Sequence, residues 1–313
     1  MHEMGKINTT IHDNFIRAIL SDKEIARAYF SNFLPSFVSS QLDFTTLTQM
    51  PETYLSKNLQ KTMSDIVYSC KMNSDAEIRV CLLIEHKSYV DKYTPIQIGS
   101  YIFSGYEKQI ANKENLSIII PVVLYHGKDR WEYKTISGLF KNLQSEWKKF
   151  LPVFDYVYNN LGEISDEKVE ALHNKFLTAS LLSLKHTFQK SWLELNAHRI
   201  LVLTEEANEN LQRNLTVYLF ANSGLEEQEI IELLQSIPST LKDKVMSTLE
   251  IFEKKGLDRG IEKGIEKGIE LSKISFIKNL LLNTDHTITK IAMLAEVSEE
   301  LVIKIHSEIN LKN

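Results

Sequence analysis

Cysteine is almost absent from this chain: 313 residues contain two, Cys70 and Cys81. Two such residues make neither a zinc cluster nor a disulfide framework. Both fall in apolar stretches, so they read as small buried hydrophobes in a reducing cytoplasm. Long hydrophobic runs are missing too. No stretch reaches the roughly 18 apolar residues needed to span a bilayer, and no N-terminal segment resembles a signal peptide. A cytoplasmic chain without membrane association is the expectation. A surplus of positive charge is also lacking. The net charge is −5, unevenly spread: residues 1–150 carry 18 Lys and Arg against 16 Asp and Glu, and residues 151–313 carry 18 against 25. That excludes a strongly basic surface and leaves the first half open only to weak, salt-sensitive contact with nucleic acid.

What is present is ordinary globular composition, 43% hydrophobic and 25% charged, with its chemistry concentrated in one hairpin. Residues 65–72 and 78–87 form two apolar runs separated by the turn cluster Asn73-Ser74-Asp75. A turn centred near residue 75 places Asp65 directly across from Glu85, with Cβ atoms about 4.5–5.5 Å apart. Lys87, two residues on, shares the face of Glu85. Two adjacent carboxylates repel unless a cation lies between them, and Mg²⁺ is commonly held in that way. A metal on Asp65 and Glu85 would polarise a phosphodiester and activate water, with Lys87 offsetting charge on the phosphate. A slip of one residue in the turn would send one carboxylate to the other face, and solvated strand ends are the alternative. Beyond the hairpin, Gln97 and Tyr101 lie four apart on a helix beginning near Pro95, placed to position a substrate. The alternative there is a polar edge on a packing helix.

Further residues sharpen the pattern. His12-Asp13-Asn14-Phe15, Ser64-Asp65, Ile84-Glu85-His86-Lys87, Gln97 to Tyr101 and Ile120-Pro121-Val122-Val123-Leu124-Tyr125-His126-Gly127 stand in this order. The chain thereby resembles the PD-(D/E)xK nuclease superfamily. More narrowly it resembles the YhgA-like, Rpn group of recombination-promoting nucleases, also grouped as transposases, over roughly residues 10–200. One departure is Ser64, where the superfamily has Pro. The resemblance implies an α/β fold: a restriction-endonuclease-like core with a mixed sheet flanked by helices, followed by an all-helical C-terminal region. It implies a Mg²⁺-dependent DNA endonuclease, Mn²⁺ being a substitute, that cleaves phosphodiester bonds with a metal-activated water and serves recombination or mobile elements. Asp65 and Glu85 would be the metal ligands, with Lys87 and Gln97 completing the catalytic set and Tyr101 positioning substrate. Asp13 is a further acid by the same resemblance; from the sequence alone it reads as the N-cap of a helix starting at Asn14. No nucleotide cofactor is expected.

The remaining chain is read for organisation. Ser21 to Glu24 has the pattern of a capping box, with Pro35 ending the helix that follows. Strands are expected at Gln41–Leu47, Leu116–Tyr125 and Val153–Tyr158. His126, at a strand end, reads as a solvated loop residue and is left out of the site. The domain expectation is a nuclease core at 1–164, a helical extension packed on it at 165–255, a Gly-x-x-x-Gly repeat at 256–270 and a helix-turn-helix-like hairpin at 271–313. Gly256, Gly260, Gly264 and Gly268 recur every four residues. Each interior glycine costs a helix about 0.8–1 kcal/mol against alanine, so the repeat reads either as a seam between two copies or as a flexible tether. The second helix of the hairpin opens with Glu299-Glu300 rather than Arg, Asn or Gln, which favours protein contact over base reading. DNA and a second copy of the chain, joined through the C-terminal helices, are the expected partners. The rival readings are a catalytically silent DNA- or protein-binding member of the fold, and a toxin-like nuclease restrained by its C-terminal region.

Overall fold

Alternation along the chain builds a five-stranded sheet, and that sheet presents the Glu85–Lys87 segment. The computed structural model describes residues 2–51, 66–73 and 79–310. The strands are β1 (Leu42–Gln49), β2 (Ile66–Met72), β3 (Arg79–Lys87), β4 (Ile118–Tyr125) and β5 (Val157–Asn160), in that spatial order. β1, β2 and β3 are antiparallel, and β3, β4 and β5 run parallel. The sheet is therefore mixed. The β2–β3 register pairs Ile66 with Ile84 and Cys70 with Val80, as a turn centred near residue 75 requires. Asp65 lies outside the described residues. The observed β5 starts four residues later than the apolar run at Val153 suggested, because Val153 is 92% exposed and contributes nothing to the core.

Antiparallel neighbours need only a turn, but the parallel step from β3 to β4 needs a crossover. The helix α4 (Thr94–Ala111) supplies it, with Pro95 in its first turn, where a missing N–H costs nothing. Its Ile98, Tyr101 and Ile102 pack on Val67, Cys81, Ile119, Val123 and Tyr125. These strand positions are all odd-numbered, which defines one face of the sheet.

The even-numbered face meets α1 (His2–Leu20) and α2 (Lys23–Phe33). The Tyr68 hydroxyl donates to the Leu20 carbonyl at 2.8 Å, and Phe30 meets the Tyr68 ring edge-on. The cap of α2 is Asp22, which accepts from the N–H groups of Glu24 and Ile25, so the capping residue is one later than Ser21. Asp13 is no N-cap: α1 starts at His2, and Asp13 stands inside it. After the one-turn helix α3 (Ser36–Ser39) and the sheet, the chain is helical from residue 166: α5 (Asp166–Glu170), α6 (Lys175–Lys185), α7 (Lys190–Val202), α8 (Glu209–Ser223) and α9 (Glu227–Ser236).

The 45-residue α10 (Ser239–Asn283) carries the glycine repeat, whose backbone is helical. Residues 1–248 and 249–313 form two compact units. In the second, α11 (Ile288–Ala295) and α12 (Glu299–Asn310) close a core of Ile277, Ile291, Ala292, Ala295, Val302 and Ile305. Glu296, at φ 52°, makes the turn out of α11. Among the described residues no helix is long and apolar enough to cross a membrane. Cys70 and Cys81 are both buried and are not joined in a disulfide.

Candidate active site

β3 ends in a run that is charged on the face it shares with α4. Glu85 and Lys87 are 4% and 6% exposed, and the Lys87 ammonium lies 2.9 Å from Glu85 Oε1. It also donates to Gln97 Oε1 at 2.8 Å and lies 3.5 Å from Asp91 Oδ2. Asp91 in turn accepts from the Tyr93 N–H, which folds the loop into the first turn of α4 and delivers Gln97. Three oxygens thus surround one ammonium. Burial alone would pull the Lys87 pKa down, but Glu85, then Asp91 and Tyr89, outweigh it and raise the pKa above the usual lysine value. Lys87 is therefore a cation fixed in direction, suited to meet a phosphate oxygen.

The end of β4 lies alongside. The His126 N–H donates to the Lys87 carbonyl at 3.1 Å, extending the parallel ladder by one rung. Gly127 follows where the two loops nearly touch: a Cβ there would stand 2.4 Å from Tyr125 Oη and 2.6 Å from the Ser88 carbonyl oxygen. No other residue fits that approach, which accounts physically for the glycine closing the Ile120–Gly127 run.

The remaining expected site residues are distributed differently. Tyr101 is fully buried in the core between α4 and the sheet, so its ring packs rather than facing solvent. Asp13 accepts from His86 Nδ1 at 3.0 Å. His86 stands between Glu85 and Lys87, and alternation directs it to the opposite face of the sheet. Glu85, Lys87 and Gln97 are thus brought together, and Asp13 joins His86 instead. Asp91 belongs to the cluster and was not anticipated, because a loop aspartate carries no periodic signal.

The opposite face holds a second feature that sequence reasoning missed. His126, expected in solvent, is 2% exposed. Its ring stacks on His86 with centroids 4.8 Å apart, and meets His12 edge-on, also at 4.8 Å. His12 lies 2.7 Å from the Tyr218 hydroxyl through Nδ1, and that hydroxyl donates to Thr187. With that hydroxyl's proton spent on Thr187, His12 Nδ1–H is the donor to Tyr218. Burial, then the His86 charge, lowers the His12 pKa to about 4, against a smaller upward pull from Asp13. Burial also holds His126 well below the usual histidine range, with His86 and His12 adding to it. Stacked rings do not converge their nitrogens, and no group of three or more His, Cys, Asp or Glu that could hold a metal ion occurs among the described residues.

Residues 10–214 match the family described as "Putative transposase, YhgA-like", and the chain belongs to that family. Among curated relatives, "Recombination-promoting nuclease RpnC" of Escherichia coli (strain K12) is 22% identical over 262 residues, covering 82% of this chain and 85% of the relative. "Recombination-promoting nuclease RpnA" of the same organism is 25% identical over 123 residues, 39% of this chain and 42% of the relative. A third, "Inactive recombination-promoting nuclease-like protein RpnE", is 24% identical over 118 residues, 37% of this chain and 39% of the relative. The chain thus matches about two fifths of the length of two of these three. No solved structure matches at a significant level.

Proposed function

We propose that this chain is a metal-dependent DNA endonuclease with a PD-(D/E)xK core, acting in recombination or transposition. The observation that carries the reading is the buried Glu85–Lys87 pair at the end of β3, with Gln97 of α4 bonded to the Lys87 ammonium. Two relatives bearing the name recombination-promoting nuclease support it. The donor chemistry fits a hard divalent cation: the Glu85 carboxylate is buried beside the Asp91 carboxylate and the Gln97 amide oxygen, all oxygen ligands of the kind Mg²⁺ prefers. Asp65 and Glu85 would hold the ion, since the β2–β3 register is the one that reading requires. When bound, the ion would supply phosphate polarisation and water activation.

This chain's own side chains do the rest. Lys87 offsets negative charge that builds on the phosphate, and its three partners keep the ammonium from swinging away. Gln97 fixes Lys87 through its oxygen. Asp13 holds His86, which sets the strand between the two catalytic positions.

The test is cleavage of supercoiled plasmid with Mg²⁺, Ca²⁺ or EDTA by wild type, Asp65→Ala and Lys87→Ala. Nicking that needs Mg²⁺ and disappears in both variants is the expected result. Equal cutting by all three proteins overturns the site. A second reading, a silent DNA-binding member, has one observation in its favour, the relative named inactive. Binding without any cutting by wild type would select it.

A further inference from the structure

The parallel strands β3 and β4 deliver their loops to one edge of the sheet, beside Lys87. In open α/β sheets ligands bind at such carboxyl ends. Here the two loops enclose a groove of about 190 Å³, lined among others by Lys92, Arg130, Trp131, Glu132, Lys134 and Tyr156. Three cations thus stand against one acid, and Glu132 is already within 3.9 Å of Arg130. Aromatic rings lie at its margins and face solvent: Tyr89, Tyr93 and Tyr133 are 54%, 58% and 40% exposed. Tyr93 is tied to the groove by Lys92, whose ammonium lies 4.7 Å from its ring, and Tyr133 by its contact with Tyr156 at 4.7 Å. Tyr89 neighbours the lining residue Val90 and lies 5.9 Å from the Lys87 ammonium. Exposed rings interleaved with cations add little to the core, so folding alone does not explain them.

We propose that this groove and its three tyrosines bind unpaired, single-stranded DNA, bases stacking on the rings and phosphates meeting Lys92, Arg130 and Lys134. A groove of about 190 Å³ has room for a single planar base. Base–aromatic stacking requires unstacked bases, which a duplex does not offer. The choice of DNA rests on the nuclease reading; the preference for an unpaired strand does not. A strand lying on Tyr89 and Tyr93 runs past Lys87, so the groove would select the unpaired region of a substrate as the place of cutting.

The test is fluorescence anisotropy of the full-length protein in EDTA, with a dye-labelled thymidine oligonucleotide and with a duplex of equal length. Metal is absent, so no result depends on cleavage. The single strand should bind at least about tenfold more tightly. Tyr93→Ala should weaken it by about 5- to 150-fold, the range of one lost stack, and Phe37→Ala, an exposed ring before β1, should leave it unchanged. Arg130→Ala should reduce the slope of log affinity on log salt by about 0.7, the value for one phosphate of a single strand. All three sites are exposed, and unchanged melting temperatures would confirm that the variants fold. Equal or tighter duplex binding, or a Tyr93→Ala variant that binds as wild type, overturns the proposal. If wild type binds the single strand as stated here yet does not cut plasmid in the separate Mg²⁺ assay, the nuclease reading is overturned and this one stands.

Discussion

The Glu85–Lys87 pair allows structure and chemistry to be separated by a mutant cycle. Both side chains are nearly buried, at 5% and 7% side-chain exposure, and their charges lie 2.9 Å apart. Lys87→Met removes the cation and leaves the Glu85 carboxylate buried without it, which should cost about 3–5 kcal/mol. For a unit of residues 1–248 that is a fall in melting temperature of about 6–20 °C. Glu85→Gln alone is milder, because Asp91 and the Gln97 oxygen still face the ammonium. The double variant Glu85→Gln/Lys87→Met buries no charge at either position. Replacing a buried ion pair with neutral groups of similar volume is often neutral or stabilising by about 1–4 kcal/mol. The double variant should therefore recover most of the loss of Lys87→Met. Urea denaturation of the four proteins measures the coupling. A cost below about 1 kcal/mol for Lys87→Met would place the pair in solvent and refute the reasoning.

The histidine face makes stability depend on acid. The folded His12 pKa, about 4, lies below the ordinary 6.5, so the contribution is complete above 6.5 and is lost as pH falls from 6.5 towards 4. The loss is about 3 kcal/mol at most; His12→Gln should flatten the stability–pH curve in that window, as followed by thermal melts. Lys87 acts at the other end of the scale. Its raised pKa means stabilisation present below the ordinary lysine value and lost as pH rises through the folded value, so alkaline unfolding of wild type should be steeper than that of the double variant. In the glycine repeat, a Cβ added at Gly268 meets nothing within 4 Å in the chain. Gly268→Ala should therefore raise helix stability by about 0.8–1 kcal/mol. If the repeat is the seam between two copies, the same change should instead weaken self-association in sedimentation equilibrium.

Local pattern carried the hairpin register, the helix beginning at Pro95 and the alternation that aligns Glu85 with Lys87, because each depends on residues close in sequence. The strand end at His126 was legible, though not the close approach of the Ser88 carbonyl that leaves no room for a side chain at Gly127. What escaped depends on distant contacts. His126 becomes buried because His12, His86 and Phe188 close over it, and the bond from His12 to Tyr218 spans 206 positions. Asp13 gave a valid capping signal, but α1 begins at His2, and its partner at residue 86 could not be read from local spacing. Tyr101 shows the limit of helical periodicity. Its spacing from Gln97 was read correctly, yet Gln97 reaches Lys87 while Tyr101, one turn later, lies under the sheet.

The central claim is that Glu85 and Lys87 perform chemistry rather than merely hold β3 in place. The most direct measurement is plasmid cleavage in Mg²⁺ by the Glu85→Gln/Lys87→Met double variant, at a temperature where its circular dichroism matches wild type. The account predicts a folded protein whose cutting rate falls by at least about a thousandfold, beyond the 10²–10³ assigned to a single lost electrostatic contact. A folded double variant that still cuts at the wild-type rate would contradict it.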